Sequence, residues 1–154
     1  MLLDKIYKVC DIPTLIEAKE FELVKQSMVD KSWESIYSII KPYINEVHEL
    51  YEMKDINSNT LLMHTIVSDP KTAEIIIAND KCDYNLQNNK GLTVLILACK
   101  QNSEVLVSKL LDTGKCDLGI RTKGHYTACT YAKRHKISAE LVTKLTPPSL
   151  KRKK

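Results

Sequence analysis

The chain repeats itself. Three segments line up with a period of about 33 residues: Ser58-Asn59-Thr60-Leu61-Leu62-Met63-His64-Thr65, Gly91-Leu92-Thr93-Val94-Leu95-Ile96-Leu97-Ala98, and His125-Tyr126-Thr127-Ala128-Cys129-Thr130-Tyr131-Ala132. A second landmark keeps the same phase. Cys82-Asp83 and Cys116-Asp117 each begin nine residues before Gly91 and His125. A period of this length fits one small supersecondary unit, too small to bury its apolar face alone. Such units stack on their neighbours to share a core.

Each unit reads as a helix, a tight break and a second helix, which predicts an all-α fold. Thr60, Thr93 and Thr127 stand where a side-chain oxygen can accept from the first free N–H groups of a helix. Apolar or small residues follow at helical spacing: Leu62 and Ile66, then Leu95, Ala98 and Cys99, then Cys129 and Ala132. Polar breaks come next at Asp69-Pro70, Gln101-Asn102 and His135-Lys136. The second helices are marked by Ile75-Ile76-Ile77, by Val105-Leu106-Val107 with Leu110-Leu111, and by Leu141-Val142 with Leu145. Gly114 is placed to close the middle one in a left-handed conformation, and Pro147-Pro148 to end the last.

The period, the Gly91-Leu92-Thr93 start, the run from Leu95 to Ala98, and Leu110-Leu111 with Gly114 resemble the ankyrin repeat. Asp55-Ile56-Asn57-Ser58-Asn59-Thr60-Leu61-Leu62 looks like a further copy of that family's opening turn and helix start. The resemblance covers roughly residues 55–145 and is strongest in the middle unit. It departs from the family at Ser58 and His125, which replace the turn glycine and require a positive φ or a reshaped turn. It departs again after the helix-start threonines, where Leu61, Val94 and Ala128 stand in place of proline, and at Lys115, an extra loop residue. The resemblance implies an α-solenoid of stacked helix-turn-helix units over 55–146, divided at about 55–87, 88–121 and 122–146. Residues 147–154 follow as a basic tail.

Residues 1–54 carry no clean signature of the repeat, yet they are patterned. Leu15, Ala18 and Val24 to Met28 give one amphipathic stretch capped by Thr14. Trp33, Ile36, Tyr37 and Ile40 give another at i, i+3, i+4 and i+7. Two readings stay open: degenerate units that cap the stack, or a separate helical element. Trp33, the single tryptophan, is expected to pack in the core.

Charge is unevenly spread. Net charge is −3 over residues 1–54, −2 over 55–120 and +9 over 121–154. The basic end points to an acidic partner. The Lys151-Arg152-Lys153-Lys154 tail reads as an import signal, a nucleic-acid contact or a solvated end. No apolar run approaches the roughly 20 residues of a membrane span, and Met1 to Ile6 mixes acid and base where a secretory leader would stay apolar. Five cysteines without a CxxC suit a reducing compartment and free thiols. A cytoplasmic protein is expected, in the host cytoplasm or nucleus if the lysine-rich coding bias reflects a virus or intracellular microbe.

The sequence shows no site for chemistry. It has no phosphate-cradling glycine loop and no HExxH, and its four histidines are scattered. No catalytic residue, cofactor or metal is assigned. The cysteines of the repeats fall where a small packed residue is wanted, and buried thiols are inert. The expected activity is protein binding by a monomer. The alternative is nucleic-acid binding through the basic end, which has few aromatic platforms beyond Tyr126 and Tyr131. The family resemblance implies contacts at turn tips and the inner face of the first helices. Carried onto this chain, these are Asn57, Asn59, Val67 and Ser68 in the first unit, Asn89, Lys90, Leu92, Lys100 and Gln101 in the second, and Lys123, Tyr126, Arg134 and His135 in the third.

Overall fold

The computed structural model describes residues 37–38, 40–44, 51 and 54–147. The expectations for Thr14, Leu15 and Trp33, for Cys10 and for the Lys151-to-Lys154 tail lie outside these residues. Among the described residues there are six α-helices: α1 (Leu61–Ser68), α2 (Pro70–Asn79), α3 (Val94–Lys100), α4 (Glu104–Asp112), α5 (Ala128–Arg134) and α6 (Ala139–Lys144). A 3-10 turn spans Lys41–Tyr43, and among these residues no strand forms beyond one isolated bridge between Lys54 and Thr60. The described fold is all-α, as the periodicity predicts. None of these helices is long and apolar enough to cross a membrane.

The three threonines start the first helix of each pair by the same local chemistry. Thr60, Thr93 and Thr127 are extended, and their hydroxyl oxygens accept from the backbone N–H of Met63, Ile96 and Thr130 at 3.3, 3.3 and 3.4 Å. Each satisfies a donor that the helix itself cannot. Asp69 does the same for α2, accepting from Thr72 N–H at 3.3 Å, with Pro70 in the first turn where its missing donor costs nothing. The start of α6 is served from the neighbouring unit, where the Glu104 carboxylate accepts from Ser138 N–H at 2.7 Å. That helix stops at Lys144, before Pro147 is reached.

Left-handed residues recur with the period. Ser58, Gly91 and His125 have φ of 59°, 73° and 62°; Asp80 and Gly114 have 51° and 67°; Asn102 and Lys136 have 55° and 61°. Ser58 and His125 therefore keep the turn that glycine makes in the middle unit. Gly91 alone is held tightly, since a Cβ there would lie 2.8 Å from the Lys123 backbone nitrogen. Gly114 closes α4 as expected, donating to the Leu111 carbonyl at 3.0 Å.

Helices of six to ten residues are marginal alone, so packing must hold them. The first helices form one row, with α3 touching both α1 and α5. The second helices form another, with α4 touching both α2 and α6, and each pair also packs within itself. The shared core contains Leu62, Ile66, Leu95, Ala98, Cys99, Cys129 and Ala132 from the first row and Ile76, Ile77, Leu106, Val107, Leu110, Leu141 and Leu145 from the second. Ile75 and Val105 instead face outward. Cys82 and Cys116 are half-buried rather than fully packed as expected, because both sit in loops after the second helices and not inside the rows.

Two tyrosines extend the period toward the N-terminus. Buried Tyr84 donates to the carbonyl of Ile77, seven residues back, at 3.3 Å. Buried Tyr51, one period earlier in the chain, donates in the same way to the carbonyl of Ile44. Ile40 and Ile44 join the core. Tyr37 meets His64 of α1, ring centroid to ring centroid, at 5.4 Å.

Candidate functional site

The loops between the helix pairs form a bonded ladder, and its rungs come from short polar side chains in phase with the repeat. Asp55 Oδ1 accepts from the N–H groups of Asn57 and Asn59, both at 2.8 Å. Asn88 Oδ1 accepts from Lys90 and Leu92 N–H at 2.9 and 3.0 Å, and Thr122 Oγ1 from Tyr126 N–H at 3.2 Å. Each turn is closed by a backbone bond: Ser58 to Asp55, Gly91 to Asn88 and His125 to Thr122, all at 2.8 Å. An oxygen-bearing side chain at the head of a turn competes for these donors and fixes the loop.

Successive turns are then tied to one another. Asn89 N–H donates to the Asn57 carbonyl at 2.9 Å, and Lys123 N–H to the Lys90 carbonyl at 3.3 Å. The Asn88 amide reaches Asn59 Oδ1 at 2.9 Å, and Gln87 donates to the carbonyls of Gly91 and Arg121 at 2.7 and 3.0 Å. Asn85 bridges to the next loop through the Lys115 carbonyl and Asp117 N–H, at 3.0 and 2.8 Å. The sequence reading singles out none of Asn85, Gln87 or Asn88. A signal for Asn88 is nonetheless present: Asp55, Asn88 and Thr122 recur with the period, each three places before a turn residue.

The predicted contact residues divide into three groups. Leu92 is 6% exposed and packs into the core, so its side chain faces the stack and not a partner. Asn59 and Asn89 lie at the turns, but their amides serve the ladder: Asn59 holds Asp55 and Asn88, and Asn89 holds Ile56 and Ser58. Asn57, Lys90, Lys100, Gln101, Lys123, Tyr126 and Arg134 are exposed, and His135 is half-exposed. Ser68 is exposed too, its hydroxyl donating to the His64 carbonyl at 2.9 Å.

The last unit sets one cation, Arg134, beside a group of aromatic rings. Arg134 lies over the Tyr126 ring at 5.5 Å, Tyr126 meets Tyr131 edge-on at 6.2 Å, and Tyr131 stacks on His135 at 6.3 Å. A guanidinium over a ring face is attracted by the ring quadrupole and held in place. Tyr126 remains 42% exposed. Arg121, Lys123, Lys133, Arg134 and Lys136 are also exposed, and among the described residues no carboxylate pairs with any of them. Acidic residues are spent elsewhere: Asp80 on Lys115 at 2.6 Å, Glu74 on Lys109 at 3.4 Å, and Glu140 on Lys144 at 2.9 Å.

The thiols and the cavity beside α4 offer little chemistry. Burial pushes the Cys99 thiol up to about 12 and Cys116 up to about 11, which leaves little thiolate near neutral pH. The cavity, about 400 Å³ at the end of α4, is lined by Leu111, Asp112, Gly114, Cys116, Leu118 and Lys144. Among the described residues no group of three or more His, Cys, Asp or Glu could hold a metal ion. No protein-family model matches the chain, and no curated protein matches it.

Proposed function

We infer that this chain is an ankyrin-like solenoid that works by binding another protein, and that its basic end engages an acidic surface on that partner. The carrying observation is the cluster of Lys123, Tyr126 and Arg134. It presents an exposed ring and positive charges that no carboxylate among the described residues neutralises. Aromatic and arginine side chains are the residues most often found at interface hot spots. The bonded turn ladder supports the reading, because loops fixed before binding lose little entropy on contact. The recurring threonine caps, left-handed positions and helix rows support the ankyrin-like arrangement. The paired tyrosine contacts of Tyr51 and Tyr84 support a further, degenerate unit ahead of residue 55 that covers the N-terminal side of the stack.

The reading assigns the chain no catalysis. Slow alkylation of Cys99 and Cys116 in the folded protein near neutral pH, rising to the rate of a free thiol only after urea unfolding, is the expected behaviour. Rapid labelling of either in the native state would point to an activated nucleophile instead.

An affinity pull-down from host-cell lysate tests the interaction itself. The intact chain is expected to retain a protein in fixed stoichiometry, and a K123A/Y126A/R134A variant with unchanged melting temperature is expected to lose it. Equal recovery by both excludes this face. Recovery of nucleic acid in place of protein, indifferent to sequence and steeply weakened by salt, would favour a phosphate-binding role.

A further inference from the structure

We propose that this face takes an extended acidic segment carrying an apolar side chain about five or six residues from its carboxylates. The inference rests on the protein-binding reading above and names the chemistry of the partner.

Ile56, Asn89 and Lys123 occupy the same place in successive turns, one period apart. Val67, Lys100 and Arg134 occupy the same place near the ends of successive first helices, again one period apart. Both rows change in the same direction. At the first unit they expose aliphatic surface, with Ile56 62% and Val67 55% accessible. At the third they expose Lys123 and Arg134, the latter over the Tyr126 ring. The Arg134 guanidinium lies 5.5 Å from the centroid of the Tyr126 ring, so in that unit the end of the first helix reaches the residue that follows the turn. The backbone bonds from Asn89 to Asn57 and from Lys123 to Lys90 make the turns one continuous rail between the two ends.

Large exposed aliphatic side chains cost free energy in water, and the two in the first unit, one in its turn and one at its helix end, are suited to cover by a partner's side chain. Nucleic acid offers only the thymine methyl for that end, whereas a polypeptide carries large aliphatic side chains and carboxylates together. The span follows from packing. Two steps along a row of helices at about 8–10 Å each give roughly 16–20 Å, which an extended chain at about 3.3 Å per residue crosses in five or six residues.

Three fluorescein-labelled peptides titrated against the full chain by anisotropy at low salt decide it. The first has two leucines, a five-residue Gly/Ser spacer and a two-residue Asp/Glu block. The second replaces the leucines by serine, and the third shortens the spacer to one residue. The first is expected to bind about tenfold more tightly than the other two, the effect of burying roughly one aliphatic side chain. An I56S/V67S variant, altered only at exposed positions, should abolish that gain while binding the serine peptide unchanged. A K123E/R134E variant should lose all three. If the serine peptide binds and leucine adds nothing, or the gain survives in I56S/V67S, the two-part partner is wrong while the acidic-partner reading stands. If no peptide binds, or K123E/R134E binds the serine peptide as well as the native chain does, the acidic-partner reading fails and this inference with it.

Discussion

The two ends of the row of first helices are finished in different ways. At the N-terminal end, α1 is treated like an interior helix. Leu61, Leu62, Met63, Thr65 and Ile66 are all buried, and the preceding chain packs against its unit through Tyr37, Ile40, Ile44 and Tyr51. At the C-terminal end, α5 buries only Ala128, Cys129 and Ala132, and exposes Thr130, Lys133 and Arg134. Between them α3 has neighbours on both sides and buries every residue from Val94 to Cys99. One end is covered by added chain, the other by changing apolar residues to polar ones. Only the second leaves a helix face available for charge, and the cationic cluster sits there.

This difference predicts that truncation to alanine at equivalent places costs unequal amounts, through both the size of the side chain the place holds and the neighbours around it. Leu95 and Cys129 occupy the same place in adjacent units, but Leu95 is packed between two helices. Leu95→Ala should destabilise by about 2–5 kcal/mol, the usual range for a buried leucine. Cys129→Ala should cost roughly 1 kcal/mol. Urea midpoints measure both, and equal shifts would break the distinction between a sandwiched and a terminal helix.

The turns give the next largest contrast. Gly91→Ala places a Cβ 2.8 Å from the Lys123 nitrogen at φ +73°. Left-handed strain and the backbone clash together should cost about 2–4 kcal/mol. His125→Gly, at the equivalent turn, should stabilise by under about 1 kcal/mol, since relief of strain is partly offset by added chain entropy. A neutral Gly91→Ala would show that the turns are not locked to one another.

These positions also show how far the sequence can be read. The caps at Thr60, Thr93 and Thr127, the positive φ at Ser58 and His125, and the closing role of Gly114 are all legible, because each depends on local geometry and recurs in phase. The burial of Leu92 is not, since a turn residue in the chain's order lies against the core in space. Nor is the ladder of Asn85, Gln87 and Asn88: it runs between units, and no single turn reveals which loop an amide will reach. Ile56 reads in sequence as an isolated apolar residue in a polar loop. Its meaning appears only beside Lys123, two units away.

Helix caps are expected to ignore the contrast between ends, which makes them a control. Thr93→Ala and Thr127→Ala each remove one acceptor from one helix start and should each cost about 1 kcal/mol. If Thr127→Ala is much the cheaper, then α5 is already frayed at its start, and the arginine held over Tyr126 is less fixed than its geometry implies.

The smallest effect concerns how the covered end is fastened. The Lys41 ammonium and the Tyr37 hydroxyl both donate to Asp69 Oδ2 at 2.7 Å and hold that carboxyl well below the usual carboxylate range. Burial pushes the Tyr37 hydroxyl the other way, up to about 12. For a depressed carboxyl, the stabilising contribution is complete above the unfolded value near 4 and is lost as pH falls through the folded one. For a raised phenol it is complete below the unfolded value near 10 and is lost as pH rises toward about 12. The fastening should therefore be flat from about pH 4 to 10 and weaken outside that window. Asp69→Asn keeps the oxygen that caps α2 but removes the charge, and with Lys41 half-exposed it should cost under about 1 kcal/mol at pH 7. Glu140 at the opposite end is also held below its usual value by Lys144, but that pair is solvated and contributes little. Hydrogen-exchange protection, taken relative to the intrinsic rate at each pH, should accordingly fall first at residues 40–44 below about pH 4 and hold at α6. Simultaneous loss at both ends would mean that the N-terminal covering is held by its apolar contacts alone.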